Sequence, residues 1–173
     1  QLKAYDCRIL VCSGTGCIAT GSNKIHEIFE KLVKETPGVQ LVFSPCGGHH
    51  EEKEVGVKKT GCQGFCELGP LVRIQKGDKV IQYVKVQPED CEDILAKSVI
   101  GDEIIERLLY VEPNSGEKVA KQEDINFYKK QKRVALHGGG VINPEDINEA
   151  MGYGAFQGLK KALSMKPQEV IDE

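Results

Sequence analysis

An α/β fold is predicted for the first hundred residues. Three observations carry it: a short apolar strand opening onto glycines, an amphipathic helix behind it, and a β-hairpin followed by a second helix. Cys7-Arg8-Ile9-Leu10-Val11 is the strand, an apolar run that ends at Cys12. Ser22 is placed to cap the first long helix. Ile25, Ile28, Phe29, Leu32 and Val33 then fall at i, i+3, i+4, i+7 and i+8, one face of a helix. Pro37-Gly38 stops it. Residues 39–43 read as a strand, residues 44–53 as a polar loop, and Val55-Gly56-Val57 as a second strand that delivers Cys62. Residues 70–75 and 80–84 are β-rich, and Lys76-Gly77-Asp78-Lys79 joins them as a hairpin turn. Pro88 suits the first turn of another helix. Cys91, Ile94, Leu95 and Val99 form its buried stripe.

Strand, helix, strand, loop, hairpin, helix is the order of a thioredoxin-like sheet with helices packed on it. In that order both of the chain's closely spaced cysteine pairs lie in loops that follow strands. They can therefore converge at one end of the sheet. The pairs are Cys12-x4-Cys17 and Cys62-x3-Cys66. Two thiolate pairs on separate glycine-rich loops suit a [2Fe–2S] cluster, in which each iron takes two cysteine sulfurs. The glycines let the backbone pass close to such a group, and exposed loop amides can donate hydrogen bonds to the sulfurs. Structural zinc also takes two thiolate pairs, more often with two residues inside each. A disulfide framework is disfavoured by an odd count of 7 cysteines and no secretory apolar region. A redox Cys-x-x-Cys is absent. The plant-type ferredoxin run fails as well, because position 20 is Thr20.

Composition narrows the class further. The 173 residues carry a formal net charge of -3, without the basic footprint that nucleic-acid binding requires. No stretch approaches the roughly 18 apolar residues of a membrane span. Seven cysteines without a signal peptide point to a reducing cytoplasm. Cys7 reads as a core residue of its strand and Cys91 as part of a buried helix stripe. Cys46, His49 and His50 make a Cys/His cluster with no fourth ligand in view, and an exposed loop is the simpler reading. His26 and His137 have no visible partner.

From Gly101 the pattern changes. Residues 101–133 are turn-rich and polar, with Pro113 and Gly116, and read as a connector that lies along a neighbour. Its Lys129-Lys130 and Lys132-Arg133 form a solvated basic face, or one that docks an acidic partner. A strand over residues 134–136 is expected next, then a glycine turn at Gly138-Gly139-Gly140. Asn143 as cap and Pro144 at the first helical position start a helix. Ala155, Phe156, Leu159, Ala162 and Leu163 stripe another, and residues 166–173 open a third. This last stretch is too small to bury a core alone. The chain starts at Gln1, which suggests a trimmed product, and residues 134–173 are expected to open a larger domain.

Cys12-Ser13-Gly14-Thr15-Gly16-Cys17 and Thr60-Gly61-Cys62-Gln63-Gly64-Phe65-Cys66 resemble the thioredoxin-like [2Fe–2S] ferredoxins. The continuation resembles a more particular subunit: Glu106-Arg107-Leu108-Leu109-Tyr110, Gly116-Glu117-Lys118-Val119, Phe127-Tyr128-Lys129-Lys130-Gln131 and Ile142-Asn143-Pro144-Glu145-Asp146-Ile147. It is similar to the flavin- and NADH-binding beta subunit of electron-bifurcating [FeFe]-hydrogenases. Related subunits occur in NADP-reducing hydrogenases, NAD-dependent formate dehydrogenases and respiratory complex I. The resemblance implies that Cys12, Cys17, Cys62 and Cys66 ligate one [2Fe–2S] cluster. It implies FMN and a [4Fe–4S] centre on a continuation beyond residue 173, where NADH would bind. The partners implied are the other iron–sulfur and flavin subunits of a multi-subunit oxidoreductase. Two departures stand out: residues 37–53 are longer than the family leads one to expect, and glycines occupy 138–140 where a cysteine is frequent.

The domains expected are 1–100, a thioredoxin-like [2Fe–2S] unit; 101–133, a connector; and 134–173, the opening of an FMN/NADH-binding domain. The expected function is one-electron transfer within an NAD(H)-linked complex, foremost a bifurcating hydrogenase. The same subunit in an NADH:quinone oxidoreductase or a formate dehydrogenase is the alternative. A zinc-stabilised docking module is the rival from another class. No residue is assigned acid, base or nucleophile work.

Overall fold

A computed structural model describes residues 6–42 and 53–173. Five strands form one mixed sheet: β1 (Cys7–Cys12), β2 (Val39–Leu41), β3 (Lys53–Thr60), β4 (Val72–Lys76) and β5 (Lys79–Tyr83), in the order β2-β3-β1-β4-β5. β1 and β2 both run parallel to β3, while β4 and β5 run antiparallel to their neighbours. The parallel pair needs a crossover, and α1 (Thr15–Ala19) and α2 (Ser22–Glu35) supply it. After β5 the chain enters α3 (Asp90–Asp93), which continues as a π-helical stretch over Ile94–Ile100. The thioredoxin-like α/β fold expected from the sequence is the fold observed.

Alternation in the strands sorts the sheet into two faces. Ile9, Val11, Val55, Val57, Val72, Ile74, Ile81 and Tyr83 pack against Ile25, Phe29 and Val33 of α2 and against Cys91, Ile94, Leu95 and Val99. The helix stripes read from the sequence are therefore the core, and Cys7 and Cys91 are both fully buried in it. The opposite face is buried but polar. Arg8 donates to the Val141 carbonyl at 2.8 Å, Lys58 pairs with Glu149 at 3.1 Å, and Arg73 donates to Gln122 at 2.8 Å. Residues far along the chain thus supply the partners that buried charges require.

The segment expected to be a connector lies along this same unit. Ile105, Leu108 and Leu109 join the main core, and Ile125 and Tyr128 are buried too. The Tyr83 hydroxyl accepts from the Ile105 amide at 3.1 Å and bonds Ser98 at 2.6 Å. A two-stranded ribbon, β6 (Tyr110–Val111) and β7 (Lys118–Val119), sits within the segment, and α4 (Asn126–Lys129) follows.

Several local expectations are corrected. Gly21, at φ 101°, precedes α2 and Ser22 is its first residue, so Ser22 makes no cap. Residues 134–136 form a bend and turn and no strand, and pair with no strand among the described residues. Asn143 turns the chain by accepting from the Glu145 amide; the helix α5 (Ile147–Gly152) is instead capped by Asp146, which accepts from Asn148 and Glu149. Pro88 lies in the turn before α3, where Asp90 accepts from the Gln87 amide at 2.8 Å. The helices α6 (Gln157–Leu163) and α7 (Pro167–Asp172) are present, and Pro167 occupies the first turn of α7. Phe156, Leu159 and Leu163 of the α6 stripe are exposed. Cys46, His49 and His50 fall outside the described residues.

Candidate metal centre

The sheet register brings the two cysteine pairs together. Cys12 is the last residue of β1 and sits opposite Thr60, the last of β3, so Cys62 emerges beside it. Cys17 lies on α1, one helical turn further along. Cys66 begins a short 3₁₀ turn (Cys66–Leu68). Cys12 and Cys17 are buried, Cys62 is half-buried and Cys66 is exposed, so the site opens to solvent on the side of the second pair.

Contacts between the loops leave little space. A Cβ on Gly14 would stand 3.1 Å from Cys62 Cβ and 3.2 Å from its sulfur; one on Gly69 would stand 2.8 Å from the Cys17 sulfur. Gly64 has φ 81°, and a Cβ there would meet the Arg133 guanidinium at 2.9 Å. Glycine is favoured at Gly64 by its left-handed conformation. The glycine turn 138–140 closes over the second loop: a Cβ on Gly139 would be 2.6 Å from the Cys62 carbonyl. That contact explains why no cysteine can replace Gly139 in this chain.

The sulfurs are surrounded by donors. The Cys62 and Cys66 sulfurs are 3.7 Å apart. Two thiolates on one tetrahedral metal at about 2.3 Å would stand about 3.8 Å apart. The Gly64 amide donates to the Cys62 sulfur at 3.3 Å. The Cys12 thiol is pulled down to about 6, first by its hydrogen bond with Cys17, then by the Gln63 and Gly14 amides against the effect of burial. Cys17, the other half of that bond, is pushed up. Cys66 is raised by its bond with Cys62. Cys7 and Cys91, by contrast, are raised to about 12 by burial, which keeps them inert thiols. His26 is lowered by burial on α2, and His137 stacks on Tyr153 with ring centroids 5.1 Å apart.

Among the described residues, no group of three or more Cys, His, Asp or Glu converges on a single ion position. The Cys12 sulfur interacts with those of both Cys17 and Cys62, so the two pairs meet at one site. The Gln63 side chain is fully buried in the second loop with neither amide atom paired. A missing acceptor would leave such an amide behind. Donor set, amide donors and glycine cradle fit a [2Fe–2S] group. The sequence did not reveal that α1 carries Cys17, nor that Gln122, Tyr128 and Arg133 reach the second loop: Gln122 and Arg133 donate to the Gln63 carbonyl at 2.9 and 2.6 Å, and Tyr128 to the Gly64 carbonyl at 2.7 Å.

Residues 3–98 match the family described as thioredoxin-like [2Fe-2S] ferredoxin. The chain belongs to that family. Membership implies a [2Fe–2S] cluster and electron transfer. A 2Fe-2S ferredoxin of Aquifex aeolicus (strain VF5) is 28% identical over 93 residues, covering 54% of this chain and 71% of that protein. The NADP-reducing hydrogenase subunit HndC of Solidesulfovibrio fructosivorans is 43% identical over 44 residues, 25% of this chain and 9% of that subunit. The chain thus spans about a tenth of HndC. A solved thioredoxin-like [2Fe-2S] ferredoxin from Aquifex aeolicus aligns with TM-score 0.46 and 24% identity, over 60% of this chain and 95% of that one. Among the described residues no helix is long and apolar enough to cross a membrane.

Proposed function

We propose that Cys12, Cys17, Cys62 and Cys66 hold one [2Fe–2S] cluster, and that the chain is the electron-transferring part of an NAD(H)-linked flavin and iron–sulfur oxidoreductase. The carrying observation is the meeting of the two pairs at one end of the sheet, with the Gly64 amide aimed at a sulfur. A [2Fe–2S] group supplies one-electron chemistry when bound. The chain's own residues position it: Cys12 and Cys17 from the buried side, Cys62 and Cys66 from the open side. That exposure gives a donor or acceptor its shortest approach.

A hydrogenase complex is the favoured setting, supported by the match to HndC, with an electron-bifurcating one foremost. FMN, a [4Fe–4S] centre and the NADH site would lie on a continuation of the polypeptide, and further iron–sulfur and flavin subunits would be the partners, in the cytoplasm. Within this reading residues 1–100 are the ferredoxin unit, 101–133 a strap fastened to it, and 134–173 the opening of the flavoprotein domain.

Anaerobic purification followed by iron and sulfide analysis tests the assignment. About two irons and two sulfides per chain are expected, with loss of the red-brown chromophore on changing any of the four cysteines to Ala. Cys7→Ser and Cys91→Ser should keep it. One zinc and no iron per chain, or a cluster surviving Cys17→Ala unaltered, would overturn the reading.

A further inference from the structure

The three donors on the second cysteine loop all come from residues 122–133, beyond the part that matches the ferredoxin family. Their target is specific. The Gln63 carbonyl and the Gly64 amide are the two ends of one planar peptide unit. At its oxygen, Arg133 donates at 2.6 Å and Gln122 at 2.9 Å. At its nitrogen, the proton is given to the Cys62 sulfur at 3.3 Å. Gln122 is itself held by the Arg73 guanidinium at 2.8 Å through its other amide atom. Two cations therefore act on one carbonyl, Arg133 directly and Arg73 through Gln122.

We propose that Gln122 and Arg133, with Tyr128 holding the adjoining Gly64 carbonyl, form a clamp that polarises the Gln63–Gly64 peptide toward the Cys62 sulfur and raises the reduction potential of the site. This rests on the [2Fe–2S] reading above. Hydrogen bonds in series strengthen one another, so density drawn to the carbonyl oxygen leaves the Gly64 N–H a better donor. Reduction adds one electron and no proton, and breaks no bond. The added negative charge is spread over the sulfurs, where donors and nearby cations stabilise it. Removing the clamp therefore favours the oxidised form and lowers the potential. Tyr128 also fixes the left-handed turn at Gly64, because its hydroxyl holds the Gly64 carbonyl at 2.7 Å and Arg133 packs over its ring at 5.5 Å. These are positioning residues, since none ligates metal.

The test uses the full 173-residue chain with its cluster, titrated with dithionite and followed by electron paramagnetic resonance. Arg133→Gln should lower the reduced-to-oxidised ratio at a fixed potential about tenfold, which for one electron is about 59 mV. Arg133→Lys, which keeps a cation on the carbonyl, should recover part of the shift. Lys129→Gln removes an exposed charge from the same segment and should leave the potential in place. Equal shifts for Arg133→Gln and Lys129→Gln, or none for Arg133→Gln, would overturn the clamp while leaving the cluster assignment intact. Should Arg133→Gln not fold, Gln122→Met decides: a lower potential is expected, and an unchanged one would overturn the proposal. A parent chain without iron would overturn the function proposed above and the clamp with it.

Discussion

Replacing Gly14 by Ala should damage the site far more than replacing Gly16, although both lie in the first cysteine loop. Neither needs a left-handed backbone; Gly14 has φ -65° and ψ 150°, which alanine adopts freely. The difference is what the added methyl meets. At Gly14 it would stand 3.1 Å from Cys62 Cβ, 3.2 Å from the Cys62 sulfur and 3.3 Å from Cys62 Cα. Carbon contacts relax at about 3.5–4.0 Å, so the second loop must retreat by roughly half an ångström. Metal–ligand distances tolerate only about 0.2 Å. Overpacking of this kind costs about 1–3 kcal/mol. If that cost falls on the cluster-bound state, cluster retention weakens by about 5- to 150-fold. At Gly16 the nearest atom is Cys66 Cβ at 3.4 Å, with the sulfur at 3.9 Å, close to ordinary contact. Visible absorbance and iron content followed during anaerobic dilution would read the outcome for both variants. Equal cluster lifetimes would show that the two loops do not meet as the structure places them.

Two further outcomes are expected. Cys7 and Cys91, raised by burial from 9.0 to about 12, should resist iodoacetamide at pH 8.5 in the folded protein and label on unfolding; because the folded state holds these protons more tightly, stability should fall as pH rises from about 9 through about 12, as denaturant melts would read, and Cys7→Ala with Cys91→Ala should flatten that fall. Tyr83→Phe leaves the Ile105 amide and Ser98 hydroxyl without their shared partner and should cost about 1–3 kcal/mol in a urea melt; no loss would mean that the strap does not depend on this anchor.

Much of the sheet was legible because its signals are local. The Ile9 and Val11 alternation, the Ile25-to-Val33 stripe and the Gly77-Asp78 turn each contain their own reason within a few residues. The cysteine pairs were legible for the same reason, as spacings beside glycines. What escaped lies in non-local packing. α1 is disguised by Gly14 and Gly16, poor helix formers whose use is close approach to the second loop. Val134-Ala135-Leu136 has strand-like composition, yet a strand needs a partner, and among the described residues this segment pairs with none. Arg8, Lys58 and Arg73 alternate out of the apolar face as solvent-facing residues would. Only the fold shows that Val141, Glu149 and Gln122 cover them.

The same non-local packing decides where the molecule can bend. A polar segment bearing Pro113 and Gly116 after Gly101 would by composition alone serve as a tether on which a neighbouring unit could swing. Yet Ile105, Leu108, Leu109, Ile125 and Tyr128 of that segment are buried against the unit itself. Lifting them would expose five large side chains at about 1.5–3 kcal/mol each, about 7–15 kcal/mol together. That equals the whole stability of a typical domain. A swing pivoting inside residues 101–128 would therefore unfold what it moves, and would release the clamp on Gln63 and Gly64 as it did so. Any reorientation of the cysteine-bearing unit has to pivot beyond the Arg133, Val141 and Glu149 contacts, with the strap travelling as part of it. The electron-transferring body is thus larger than the stretch that matches the ferredoxin family, and the added part reaches the second cysteine loop directly.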